Sequence, residues 1–147
     1  MKSINEQAPV KSKQSLVINA SPERIWQLLT AISEWSQWQQ LITRVRTSGP
    51  VQAGTVFNWT TGGAAITSTV HTMQPHTSFG WTGKTFGLFA IHNWTLKRQS
   101  ADSTLVTVEE SMEGWLASLF KKTFNKNLAK GMAFWLTALK AAAEKNC

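Results

Sequence analysis

The chain has 147 residues, 42% of them apolar, which is enough for one domain with a substantial core. Fifteen Lys and Arg against eight Asp and Glu give a net charge of +7, but these residues are scattered, with no zinc-finger spacing or aromatic ribonucleoprotein box. A specific nucleic-acid partner is therefore not expected. The single cysteine, Cys147, excludes a disulfide framework or a thiolate metal cluster, and the lack of an apolar leader or of eighteen consecutive apolar residues points to a cytoplasmic location.

Residues 1–12 are polar, contain Pro9, and are expected to form a flexible lead to a single domain spanning 13–147. Ser15 to Ala20 reads as a short strand. Ser21-Pro22-Glu23 then starts a helix, with Ser as N-cap, Pro at the first helical position and an acid in the first turn. Ile25, Trp26, Leu28, Leu29 and Ile32 give it one apolar face. Ser33 is placed to cap a second short helix, Glu34 to Gln40, which carries Trp35 and Trp38 three residues apart.

From Leu41 the texture becomes β. Strands are predicted at Ile42–Ser48, Thr55–Thr61, Ala65–Met73, Ser78–Thr82, Leu88–Arg98 and Thr104–Met112. Between them lie Gly49-Pro50, Gly54, Gly62-Gly63, Pro75-His76 and Gly83-Lys84 as turn signals. Short, even connections favour an antiparallel meander. After Met112 the period changes to three and four, through Leu116, Phe120, Phe124, Leu128, Met132, Trp135, Leu139 and Ala142. This predicts a long amphipathic helix from Trp115, about 45 Å if unbroken, with Gly131 as a point of bending and its lysines towards solvent.

The last two strands carry the main chemical signal. Folding them about Gln99–Ser103 sets Leu96 opposite Val106, Trp94 opposite Val108, His92 opposite Glu110 and Ala90 opposite Met112. Side chains alternate along a strand, so these eight share one face. That face is apolar except for one imidazole and one carboxylate. It suits the wall of a ligand cavity, and equally a core with one satisfied ion pair. Eight Trp, seven Phe and no Tyr favour a large concave wall, because Trp is bulky and carries only one donor.

A twisted sheet with one face to cover and one long terminal helix to cover it defines an α+β helix-grip arrangement, with about seven strands around the helix and two short helices after the first strand. Ile18 to Leu29 followed by Trp35-Ser36-Gln37-Trp38 resembles the opening of the START-like, polyketide cyclase/dehydrase superfamily, whose fold pollen-allergen-like proteins share. Gly54 before Phe57 and Trp59, Trp81-Thr82-Gly83, His92 with Trp94, and Glu110-Ser111 before Gly114 follow the same order, so the resemblance covers about 13–145. It implies a cavity between sheet and helix. It does not imply one activity, since the superfamily includes carriers, receptors and cyclases.

On this reading Trp59, Trp81, Ala90, His92, Trp94, Val108 and Glu110 line the sheet side of a lumen. Phe124, Leu128, Met132 and Trp135 form the helix side, and Trp35 and Trp38 stand at the mouth. The expected occupant is a small hydrophobic or aromatic molecule of lipid, quinone or polyketide type. His92 and Glu110 orient its polar end or, in an enzyme, act as acid and base. A third reading uses Trp35, Trp38 and basic charge on a membrane or protein partner. His71, His76 and His92 do not have metal-ligand spacing, no cofactor is implied, and a monomer or a homodimer is equally compatible.

Overall fold

In the computed structural model, which describes residues 1–145, the alternating stretches become one antiparallel sheet of seven strands. They are β1 (Val10–Ile18), β2 (Ile42–Thr47), β3 (Val56–Thr61), β4 (Ala64–Gln74), β5 (Ser78–Thr85), β6 (Leu88–Ser100) and β7 (Ser103–Glu113). Cys147 lies outside the described residues. β2 to β7 form a meander in chain order, and β1 returns to pair with β7, giving the order β1-β7-β6-β5-β4-β3-β2.

Ser21 caps α1 (Pro22–Thr30) as its composition demands: the hydroxyl accepts from the Arg24 amide at 3.2 Å, and Pro22 opens the helix. The second short helix, expected at Glu34–Gln40, is present as a 3₁₀ helix over Ile32–Gln37. Two further helices follow the sheet, α2 (Trp115–Leu119) and α3 (Lys121–Glu144). The predicted single helix is thus broken, at Phe120 and not at Gly131. Phe120 has φ −115° and ψ 40°, outside the helical region, so the chain turns before α3 begins. Over 24 residues α3 is about 36 Å long. It buries Leu128, Met132, Trp135, Leu136 and Leu139 in the concave side of the sheet, the helix-grip arrangement.

The amino-terminal stretch is more engaged than a flexible lead would be. β1 already begins at Val10, and Ala8 and Val10 are buried. The Asn5 amide donates to Ser111 Oγ at 3.0 Å, the Asn5 side chain reaches the Glu113 carboxylate, and Asn93 Nδ2 donates to the Lys2 carbonyl at 2.8 Å. Residues 2–8 therefore lie along the convex face of β6 and β7.

Aromatic packing fills one half of the sheet's concavity. Trp35 is wholly buried, edge-on to Phe57, Trp59 and Trp135 at centroid distances of 5.3–5.5 Å, with its indole N–H donating to the Leu29 carbonyl at 3.0 Å. Trp59 donates to Ser68 Oγ at 2.9 Å, and Phe79 and Trp81 extend the cluster. Edge-to-face pairs of this kind contribute about 0.5–1.5 kcal/mol each beyond the area they bury. The tryptophans thus pack chiefly against one another.

Candidate functional site

Beyond the aromatic cluster the space between sheet and α3 is empty, a cavity of about 410 Å³ with a mostly apolar lining. The reason lies in four small residues that face it from four elements: Ala64 on β4, Gly83 on β5, Ala90 on β6 and Gly131 on α3. Gly83 and Ala90 are cross-strand partners, so two adjacent positions of the floor carry a single methyl between them, and Ile66 leans over Gly83, its Cγ2 3.2 Å from where a Cβ would stand. A Cβ at Gly131 would meet no atom within 4 Å. The size lies within the range of about 300–1,000 Å³ typical of small-molecule pockets. Exposed Leu41, Gly62, Ala64 and Asn127 border it, which places the mouth between the β3–β4 hairpin and the first turns of α3.

The register of β6 on β7 is the one that the alternation predicts: Leu96 with Val106, Trp94 with Val108, His92 with Glu110 and Ala90 with Met112. His92 and Glu110 are both buried, and His92 Nδ1 is hydrogen-bonded to Glu110 Oε1. A carboxylate only accepts, so Nδ1 carries the proton. In the neutral imidazole this leaves Nε2 as an acceptor; in the imidazolium it is a second donor. The ring lies flat on Trp81, centroids 4.3 Å apart and planes within 10°, which fixes its orientation from a second side. Neither His92 Nε2 nor Trp94 Nε1 has a hydrogen-bond partner among the described residues, and their rings are neighbours at 5.6 Å. Both atoms are closed to solvent in this packing.

Trp59, Trp81, Ala90, His92 and Glu110 come together on the sheet side of the cavity, and Phe124, Leu128, Met132 and Trp135 on the helix side. Four other expected positions lie elsewhere. Trp94 and Val108 share the face but sit wholly buried in its filled half, where Trp135 packs 5.8 Å from Trp94. Trp35 is not at the mouth, because the 3₁₀ turn directs it into the aromatic cluster. Half-buried Trp38 packs edge-on to Trp135 at 5.7 Å, outside the cavity wall.

Among the lining residues that the sequence concealed are two glycines. Gly83 was expected in a turn, but β5 runs on through it to Thr85, and the turn is Phe86-Gly87. Its spacing of two from Trp81 is the signal that places both on the same face. Gly131 was expected to bend the helix; it widens the lumen instead. Of the other histidines, His71 projects from the convex face with Nδ1 2.8 Å from Thr72 Oγ1, and His76 occupies the β4–β5 turn at φ 65°. Burial holds the His71 pKa below its ordinary 6.5, opposed by the neighbouring Asn93 side chain and reinforced by the charges of Lys2 and the terminal ammonium. Among the described residues no three His, Cys, Asp or Glu converge on a point that could hold a metal ion, and no helix is long and apolar enough to cross a membrane.

Comparison with solved structures places this architecture in wide company. A hypothetical protein from Helicobacter pylori superposes with a TM-score of 0.86 at 16% identity, over 98% of each chain. A START superfamily protein from Mycobacterium smegmatis gives 0.76 at 16% identity over 93% of this chain and 99% of its own. The Zhui aromatase/cyclase from a Streptomyces species gives 0.80 at 12% identity over 92% and 93%. At these identities the likeness is one of fold. No curated protein matches the sequence. The family model described as polyketide cyclase / dehydrase and lipid transport matches residues 9–144, nearly the whole chain, and the chain belongs to that family.

Proposed function

We propose that this protein binds a small, largely apolar molecule of lipid, quinone or aromatic-polyketide type in the cavity between the sheet and α3, with the polar end turned towards His92 and Glu110. The observation that carries this reading is an apolar void of about 410 Å³ with a single imidazole–carboxylate pair in its wall. Burying apolar surface there provides about 25 cal/mol per Å² before ordering costs. Orientation comes from Glu110, whose carboxylate has a second oxygen beyond the one that His92 uses, and from Gln39, Thr61, Thr85 and Asn127, the other polar side chains that border the cavity.

The enzymatic reading, a cyclase or dehydratase, has one specific observation in its favour. Glu110 fixes the tautomer of His92 and leaves Nε2 without a protein partner, the arrangement of a general base. Against it, Nε2 is closed even to water. Binding with orientation is therefore the stronger reading. The test is native mass spectrometry of the purified protein before and after incubation with lipid, quinone and aromatic-polyketide extracts. A stoichiometric adduct is expected, lost when Gly131→Phe fills the lumen. Absence of any adduct refutes the reading.

A further inference from the structure

Four large apolar side chains stand out of the surface near the cavity. Phe86 is 79% exposed, Leu119 66%, Trp115 57% and Phe120 50%. Phe86 occupies the two-residue turn between β5 and β6, where Gly, Asn or Asp is the usual occupant. The Trp115 ring packs edge-on against it at 5.4 Å. Leu119 follows Trp115 one helical turn later on the same side of α2, and Phe120 ends that helix.

The ridge is held in place by backbone. The Leu116 amide donates to the Gly87 carbonyl at 3.3 Å. Gly114 adopts φ +117°, and a Cβ there would stand 2.3 Å from the Gly87 oxygen. Only glycine lets the hairpin and α2 approach so closely.

The surrounding charge is predominantly positive, with one carboxylate, Glu113, in the groove that Trp115 lines. Lys84, Lys121, Lys122 and Lys126 are exposed, and no carboxylate occurs between Gly114 and Ala143. Glu113, the nearest, is engaged by the Asn5 side chain. Thr85 and Leu88 border both the cavity and the groove that Trp115 lines, so the ridge is continuous with the cavity wall.

We propose that this ridge docks the protein on an anionic phospholipid bilayer, with Phe86, Trp115, Leu119 and Phe120 sunk to the headgroup–acyl boundary and the lysines among the anionic headgroups. Aromatic and aliphatic residues ringed by lysine match the two layers such a surface offers. A second copy of the chain fits less well, because it would bring the same lysines face to face. Docking does not depend on what fills the cavity. If the cavity takes an apolar ligand as proposed above, docking sets the cavity wall against the phase in which that ligand dissolves.

The experiment is co-sedimentation of the full chain with vesicles of phosphatidylcholine, with and without phosphatidylserine. Binding is expected to the phosphatidylserine vesicles and to fall as salt is added. F86S/L119S and K121E/K122E should each weaken it about tenfold or more. All four positions are exposed, and an unchanged thermal midpoint confirms that the variants fold. Gly131→Phe should bind vesicles like the wild type, which separates this proposal from the ligand reading. Two vesicle results overturn it: no binding at low salt, or F86S/L119S binding as tightly as the wild type. A wild-type dimer that F86S/L119S converts to monomer in sedimentation velocity also overturns it, because the ridge would then be a self-association face.

Discussion

Replacing His92 by Phe is expected to destabilise the protein more than replacing Glu110 by Ala, and replacing both residues should recover most of the loss. His92 and Glu110 are buried and hydrogen-bonded to each other. Phe in place of His92 keeps the flat contact with Trp81 but leaves a buried carboxylate unpaired, at a cost of about 3–5 kcal/mol. For a chain of this size that corresponds to about 6–20 °C in Tm. Ala in place of Glu110 leaves a neutral imidazole with one unmet N–H, a cost of about 1–3 kcal/mol. Leu with Phe, the pair H92F/E110L, removes both polar groups at similar volume and should lie within about 1–2 kcal/mol of wild type or above it. Urea denaturation of the four proteins measures the cycle. If H92F costs less than about 1 kcal/mol, the carboxylate is hydrated and not buried as described. If the double variant is as unstable as H92F, the pair maintains the fold instead of merely being tolerated in it. A stable double variant that no longer retains ligand assigns the pair to binding.

Gly131→Ala should stabilise by about 0.5–1 kcal/mol in urea titration, since a helical glycine gains propensity and the new methyl meets open space; a loss of stability would mean that the lumen is closed there. Gly114→Ala should cost about 1–3 kcal/mol, because φ +117° and the Gly87 carbonyl both oppose a Cβ, and a neutral result in thermal melts would contradict the close approach. His71 gives a pH dependence. Its folded pKa is depressed, so the unfolded chain takes up the proton first; stability is complete above about pH 6.5 and declines as pH falls through the folded value. His71→Gln should flatten the acid side of the stability profile, and an unchanged slope in that variant would place the acid sensitivity elsewhere.

The β6–β7 register was legible because everything that sets it is local: strict alternation on both sides of a polar stretch, Gln99–Ser103, in which the turn itself is only Ala101-Asp102. α1 was legible for the same reason, since Ser21, Pro22 and Glu23 carry the start signal in three consecutive residues. The void was not. It arises where Ala64, Gly83, Ala90 and Gly131 converge from four elements, and a missing side chain leaves no periodic mark in any one of them. Gly83 in particular carries two meanings, turn former and empty position on a strand, and only its spacing from Trp81 separates them. Trp35 was misplaced because amphipathic spacing describes an α-helix, and the tighter 3₁₀ turn rotates the indole inward. The break at Phe120 escaped because the apolar period runs through it unbroken, although Phe120 faces solvent.

β1 opens the sheet in sequence, and its partner, β7, closes it. Val10–Ile18 pairs with residues 104–112 and is clamped from the other side by α3, where Gln14 donates to the Ala129 carbonyl and Asn125 bridges Lys11 and Pro9. Until that pairing forms, β7 is a bare edge of threonines and valines with free amides and carbonyls, a template for any passing strand. β1 must therefore stay unpaired until β7 has been made, and a folding intermediate built on the β2–β7 meander displays its stickiest side. Shortening the amino terminus to Ser15 would make that intermediate permanent, and the outcome would be insoluble protein with the cavity between sheet and α3 still largely formed.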